Sequence, residues 1–231
     1  MNSLFVFYRS SIGKKVVMSL TGLFLCLFLV EHLVGNLLLF ANDGGHLYEQ
    51  YSKLLVSNPI IRIIEIVLFA SLIGHALSGL VVWIRNKRAR PHKYAVYRLD
   101  ENTEFASRIT MLGGSIIFFF LVVHLWSFFF PLRVTGTTQT AFQLVEQKFT
   151  NAWFCMLYVL SLLVLGYHLK HGFQSAFQTL GLMHKKYKGI LDFIAFFFWF
   201  VIPAGFASLP IYFYFFHTAA PTAVVLGGHS I

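Results

Sequence analysis

Five long apolar stretches, divided by short polar and basic segments, organise this chain. They run approximately over 14–41, 60–86, 106–130, 151–182 and 190–217. Each is longer than the roughly 20 residues a helix needs to cross a hydrocarbon core about 30 Å thick. The pattern predicts an all-α integral membrane protein of five transmembrane helices, with residues 1–231 forming one membrane domain. The first stretch is too long for a cleaved signal peptide, and no small-residue cleavage site follows it.

Composition agrees with the pattern. The chain is 57% hydrophobic, 18% aromatic and 12% charged, whereas soluble domains carry roughly 25% charged residues. Its 27 Phe and 10 Tyr suit lipid-facing surfaces and interfacial belts. A net charge of +9 invites a nucleic-acid reading, but the placement of the charge argues against one. Arg9, Lys14 and Lys15 precede the first span. Arg85, Lys87, Arg88, Arg90, Lys93, Arg98 and Arg108 lie between the second and third, and Lys170, Lys185, Lys186 and Lys188 cluster near the end of the fourth. Lys53, Arg62, Arg133 and Lys148 fall on the other side, so the division is fourteen against four. Basic loops stay in the cytoplasm, so the N-terminus is expected inside and the C-terminus outside. Cys26 and Cys155 lie within apolar stretches, without zinc-ligand spacing or a CxxCH haem-attachment motif, and read as small core residues.

The histidines carry the chemistry. One stands inside each of the first four spans: His32, His75, His124 and His168. Ionisable groups in a membrane face a cavity, cofactor or partner, and neutral imidazole is an axial ligand of haem iron. Depth sorts the four into pairs. His32 lies 18 residues beyond Lys14 and His124 lies 16 beyond Arg108, about 24–27 Å of helix from the inner end. His75 stops 10 residues short of Arg85, about 15 Å from that end, and His168 follows the start of its span by a similar distance. An outer pair, His32 with His124, and an inner pair, His75 with His168, result, roughly 10–12 Å apart along the membrane normal. The first four spans are thus expected to form a bundle around two stacked haems.

Glycine spacing points the same way. Gly22 precedes His32, and Gly114 precedes His124, by ten residues, about 15 Å of helix. Both fall near the inner pair's depth, where a missing side chain would admit a porphyrin edge. His75-x-x-x-Gly79 and His168-x-x-x-Gly172 form a second matched pattern, so spans one and two echo spans three and four. His171 is a rival ligand in span four, but Ser175 stands where that glycine would be. His46, His92, His184, His217 and His229 fall in loops or at span ends.

The stretches KKVVMSLTGLFLCLFLVEHLVGNLLLF, IGHALSGL, SRITMLGGSIIFFFLVVHLW and YHLKHGFQSAFQTLG resemble the membrane subunit of succinate:quinone oxidoreductase. That family includes succinate dehydrogenases of the tricarboxylic acid cycle and fumarate reductases of anaerobic respiration. The resemblance is to its single-polypeptide, five-helix, two-haem cytochrome b type, and covers about residues 10–217. It implies two haem b groups, menaquinone as redox partner, and location in the inner (cytoplasmic) membrane of a bacterium. It also implies an FAD-bearing flavoprotein and an iron–sulfur protein on the cytoplasmic side, above the basic 85–108 and 170–188 segments. It admits pairing of complexes as dimers. Electron transfer would then be the chain's task, with no succinate chemistry and no catalytic side chain of its own.

Further residues follow from that resemblance. Arg108, at the inner end of span three, is suited to pair with a haem propionate, with Ser19, Ser107 and Gln174 as hydrogen-bonding neighbours. Quinone reduction needs protons, which makes Glu49, Glu65 and Glu31 candidates. Glu49, in the amphipathic HLYEQYSKLL, resembles the glutamate at the quinone site of fumarate-reducing members. Glu65 precedes His75 by ten residues, at the outer pair's depth; Arg62 is its alternative partner. Glu31 adjoins His32 yet points about 100° away from it, so a haem at His32 leaves it unexplained. Some fumarate-reducing members carry a glutamate two residues before the span-four ligand; Gly166 stands there in this chain, which leans the expectation towards succinate oxidation. The alternatives are a haem subunit of a formate dehydrogenase or hydrogenase, or a non-redox membrane protein with structural histidines.

Overall fold

The computed structural model describes residues 10–88 and 105–217, without the side chains of residues 11 and 105–109. Arg9, Arg90, His92, Lys93, Arg98 and His229, and the side chains of Ser107 and Arg108, therefore lie outside the described residues. Within them the chain is all-helical, and five helices are long and apolar enough to span a membrane.

Helix α1, Ser11–Leu37, continues into a 3-10 turn, Leu38–Phe40. The short α2 follows, His46–Ser57, and then α3, Pro59–Arg88. Helix α4, Phe105–His124, runs on through two π-helical turns, Leu125–Phe129 and Pro131–Thr135. A second short helix, α5, covers Ala141–Phe149 and precedes α6, Ala152–Thr179. The fifth span is composite: α7, Lys188–Phe196, a π-helical turn, Phe197–Val201, and α8, Ile202–Phe215.

Local chemistry explains most of these boundaries. The Ser10 hydroxyl accepts the Gly13 N–H at 2.9 Å, and Asn151 Oδ1 accepts that of Phe154 at 3.1 Å. Thr140 and Gln143 form a reciprocal capping box at the start of α5. Caps of this kind contribute about 1 kcal/mol each. The third span passes the expected end at 130 because Pro131 does not stop it. Proline lacks an N–H and crowds the carbonyl four residues back, and the wider π-helical turns accommodate it. The chain then leaves the helix at Gly136, whose φ of 67° is left-handed.

Among the four histidine-bearing spans, α1 packs most extensively on α3 and α4 on α6; α6 also lies along α1, and α3 more lightly along α4. They form a ring in the order α1, α3, α4, α6. Helices on the diagonals, α1 with α4 and α3 with α6, make at most marginal backbone contact, so the ring keeps a centre that only long side chains reach.

The fifth span closes one side, against α6 and α1. Pro203 removes the N–H that the Trp199 carbonyl would otherwise accept in an α-helix. That carbonyl lies against Gly166 of α6, where an added Cβ would come within 2.8 Å of it. Ile202, fully buried, joins Cys26, Leu33, Leu169, Phe173, Ala195 and Phe198 in a core between α1, α6 and the fifth span. A second core, Leu39, Phe142, Val145, Phe149, Cys155, Tyr158, Leu209 and Phe213, fills the end of the bundle remote from the basic segments. Both cysteines are buried and free. Large apolar side chains such as Leu27, Ile66, Phe119, Trp126, Leu163 and Phe193 are exposed, far more apolar surface than water-soluble proteins present and the surface a lipid-embedded bundle requires.

The Gly166 contact makes a clear prediction. A Gly166→Leu variant forces the fifth span off α6, and overpacking of this kind costs about 1–3 kcal/mol. Thermal unfolding in detergent is expected several degrees below that of the wild type, whereas Gly172→Ala, with nothing within 4 Å of its added Cβ, should unfold as the wild type does.

Candidate functional site

The centre of the bundle is occupied by imidazoles, paired across its diagonals. His32 of α1 faces His124 of α4, with ring centroids 5.9 Å apart and planes at 89°. His75 of α3 faces His168 of α6, with centroids 6.2 Å apart and planes at 81°. A nitrogen ligand sits about 2.0 Å from its metal and an imidazole centroid about 1.1 Å behind that nitrogen, so two axial rings on one iron have centroids about 6 Å apart. Both pairs stand at that spacing. Among the described residues no three His, Cys, Asp or Glu side chains gather to hold a metal by themselves. Two imidazoles on opposite sides suit iron whose other four ligands come from a porphyrin.

The opposite ring nitrogens bear on the same question. His75 Nδ1 donates to the Met18 carbonyl at 3.1 Å, which fixes the proton on Nδ1 and leaves the Nε2 lone pair for a metal. His124 Nδ1 meets the Tyr158 hydroxyl at 3.1 Å. His32 Nδ1 has a longer contact, 3.4 Å, with the Asn36 amide nitrogen, which donates to the His32 carbonyl at 2.6 Å. His168 Nδ1 is buried without a hydrogen-bond partner among the described residues, as is the Ser78 hydroxyl one turn after His75. Unpartnered buried polar atoms are rare in folded proteins, and these two lie at the same pair.

The pairs differ in their surroundings. Phe28 stacks on His32 at 5.2 Å and Phe206 lies 5.4 Å from it. Phe120, Phe128 and Tyr158 surround His124. The His75–His168 pair instead rests on glycine: a Cβ on Gly22 would lie 3.0 Å from His75 Cε1, and one on Gly114 would lie 3.7 Å from His168 Cε1. The space these glycines leave is filled by imidazole, a direct contact that the sequence reading, with its porphyrin edge, does not contain. Gly79 approaches Met18 Sδ, and Gly172 meets nothing within 4 Å. It is His168, not His171, whose ring faces His75.

The remaining candidates are dispersed. Ser19 is buried near the start of α1. Gln174 lines a shallow hollow with Phe177, Met183, Leu191 and Asp192, between α6 and α7. Glu49 Oε1 accepts the Phe142 N–H at 2.7 Å and so ties α2 to the start of α5. Glu65 bridges Arg133 at 2.6 Å and Arg62 at 3.1 Å, joining the end of the third span to α3. Glu31 Oε1 accepts the Tyr51 hydroxyl at 2.5 Å. Burial, and then Glu31 itself as acceptor and as charge, push the Tyr51 phenol up to about 12, so the phenol is the donor.

Tyr158 and Tyr51 are functional candidates that sequence reasoning missed. Tyr158 precedes His168 by ten residues, the interval that relates Gly22 to His32, so the same depth arithmetic applied to span four finds it. Tyr51 stands two residues after Glu49 in the amphipathic stretch, but its fold-back onto α1 left no mark in the pattern. No protein-family profile, curated protein or solved structure matches the chain.

The glycine contacts distinguish the two pairs experimentally. Gly22→Val displaces the His75 ring; were each pair to hold one haem, haem per chain would fall to about half the wild-type value, measured by absorbance against protein. Gly114→Ala, whose Cβ makes an ordinary contact, is expected to retain the full amount.

Proposed function

We propose that this chain is the membrane-anchoring dihaem cytochrome b subunit of a succinate:quinone oxidoreductase of a bacterial inner membrane. The observation that carries the reading is the pair of diagonal imidazole sets, each at the spacing of two axial ligands on one iron. In this reading His32 and His124 hold one haem b and His75 and His168 the other. When bound, haem iron supplies reversible one-electron exchange, and six-coordination leaves no open position for oxygen.

The chain's own residues then do four things. The imidazoles hold iron at two levels; His75 contacts Gly22, ten residues before His32, which separates the levels by about 15 Å of helix. The Met18 carbonyl and the Tyr158 hydroxyl orient two of the rings through Nδ1. Phe28, Phe206, Phe120 and Phe128 keep water from the His32–His124 pair. The basic segments form the cytoplasmic end and receive an iron–sulfur subunit, itself joined to an FAD-bearing flavoprotein. Electrons pass between that subunit and menaquinone dissolved in the membrane lipid.

Direction is read from Gly166. Its Cα is covered by the Trp199 carbonyl, so the position where some fumarate-reducing relatives carry a proton-bearing glutamate is closed by backbone. This supports succinate oxidation as the working direction.

Purification of the tagged chain from native membranes tests the proposal. Two soluble subunits are expected to accompany it, one containing FAD and one containing iron–sulfur clusters, and the preparation should reduce a naphthoquinone with succinate. Co-purification of a formate- or hydrogen-oxidising partner, or a preparation without any b-type haem absorbance, contradicts it.

A further inference from the structure

Helix α1 carries a charge into the bundle. Lys14, near the start of that helix, is buried, only 5% exposed. It precedes His32 by 18 residues, about five full turns, so it stands on the same face of α1 as His32. A buried ammonium is costly unless it is paired and hydrogen-bonded. The Met18 carbonyl, four residues after Lys14, meets His75 Nδ1. Lys14 therefore lies about 6 Å beyond the His75–His168 pair, towards the end of the bundle that carries the basic segments.

A hydroxyl on the neighbouring helix stands at nearly the same level. Gly22 meets His75 and Met18 meets Gly79, so α1 and α3 run antiparallel. Ser78, three residues after His75, is thus displaced about 5 Å in the same direction. It is 1% exposed, and its Oγ has no hydrogen-bond partner among the described residues. Hydroxyls inside helices commonly bond back to a carbonyl of the preceding turn. Thr21 does so with Val17 at 2.7 Å, and Ser115 with Met111 at 3.0 Å. Ser78 forgoes that bond and keeps its donor. On α6, Gly172 stands one turn beyond His168, and nothing lies within 4 Å of a Cβ added there.

We propose that Lys14 and Ser78 form a carboxylate seat, and that its occupant is a propionate of the haem held by His75 and His168. This inference rests on the dihaem function proposed above and adds two binding residues to it. A carboxylate supplies what the seat asks for: negative charge for the ammonium and an acceptor for the orphaned hydroxyl. Hydrogen bonds to an ionised group are the strong ones. The carboxylate must also belong to a group already inside the bundle, because the seat lies within about 6 Å of the imidazole level. Haem b carries two propionates on one edge of its porphyrin, and Gly172 leaves room at that level.

The seat makes the two haem sites unequal. The His32–His124 pair is packed by Phe28, Phe206, Phe120 and Phe128, whereas the other pair has a buried cation beside it. Ferrous haem carries one positive charge fewer than ferric haem, so a fixed ammonium nearby favours the reduced state. Lys14 thereby raises the potential of the haem it anchors.

Potentiometric titration of the purified complex, followed by haem absorbance, tests the seat, with haem release to apomyoglobin measured on the same samples. Lys14→Met keeps the length of the side chain and removes its charge. One of the two haem steps is expected to move to lower potential while the other stays, and the affected haem should be released about tenfold faster. Lys14→Arg keeps the charge and should titrate as the wild type does. Ser78→Ala should hasten release of the same haem several-fold. Complete loss of one haem in Lys14→Met, with both retained in Lys14→Arg, reports the same seat. Both steps unmoved in Lys14→Met, a shift in Lys14→Arg as large as in Lys14→Met, or release from Ser78→Ala at the wild-type rate overturns the assignment. Loss of the soluble subunits from Lys14→Met with both haem steps unmoved overturns it too, and gives the ammonium to the subunit interface. A wild-type protein without haem steps contradicts the dihaem function itself, which keeps the two failures distinct.

Discussion

Two pairs of imidazoles meet across the diagonals of a four-helix ring, and the rest of the architecture accommodates them. An ordinary membrane bundle closes its centre by bringing small residues of facing helices together. This one packs neighbours closely, α1 on α3 and α4 on α6, and holds the diagonal helices apart. The separation leaves room for rings nearly perpendicular to one another, at 5.9 and 6.2 Å. Neutral imidazole within an apolar bundle needs a partner at each nitrogen. The Met18 carbonyl and the Tyr158 hydroxyl meet that need at two Nδ1 atoms, and a metal between facing rings would meet it at Nε2.

Glycine and proline do much of the shaping. Gly22 and Gly114 give the His75–His168 rings their place, Gly35 admits Tyr51, and Gly166 admits the Trp199 carbonyl. Pro131 and Pro203 are each accompanied by π-helical turns, which lengthen the third span and turn a carbonyl of the fifth towards α6. In lipid, backbone irregularity survives only where neighbouring helices cover it. At Gly166 the cover is tight enough that a larger residue could not be exchanged without moving the fifth span.

Much of this was legible in the chain. Uninterrupted apolar length showed the five spans, because few other structures need it, and the boundaries erred mainly at Pro131, where a helix breaker is tolerated by a wider turn. Helical rise alone paired His32 with His124 and His75 with His168, since depth in a bundle is nearly linear in sequence. Lateral information was absent. That Glu49 caps α5 depends on how two connecting segments cross, and so does the return of Tyr51 to Glu31. The short helix Ala141–Phe149 was missed because its amphipathic pattern is brief beside the spans that flank it. Glu31, unexplained by periodicity, shows its partner only in the fold, where the Tyr51 ring rests on Gly35 and the hydroxyl reaches the carboxylate.

The central claim is that each imidazole pair holds one iron. Pyridine haemochrome quantitation on the purified chain measures it directly, with protein determined by amino-acid analysis. Two non-covalent b-type haems per chain are expected, falling to one when either His32 and His124 or His75 and His168 are replaced together. A chain with no haem b, or one whose haem content survives the replacement of both pairs, would contradict the account.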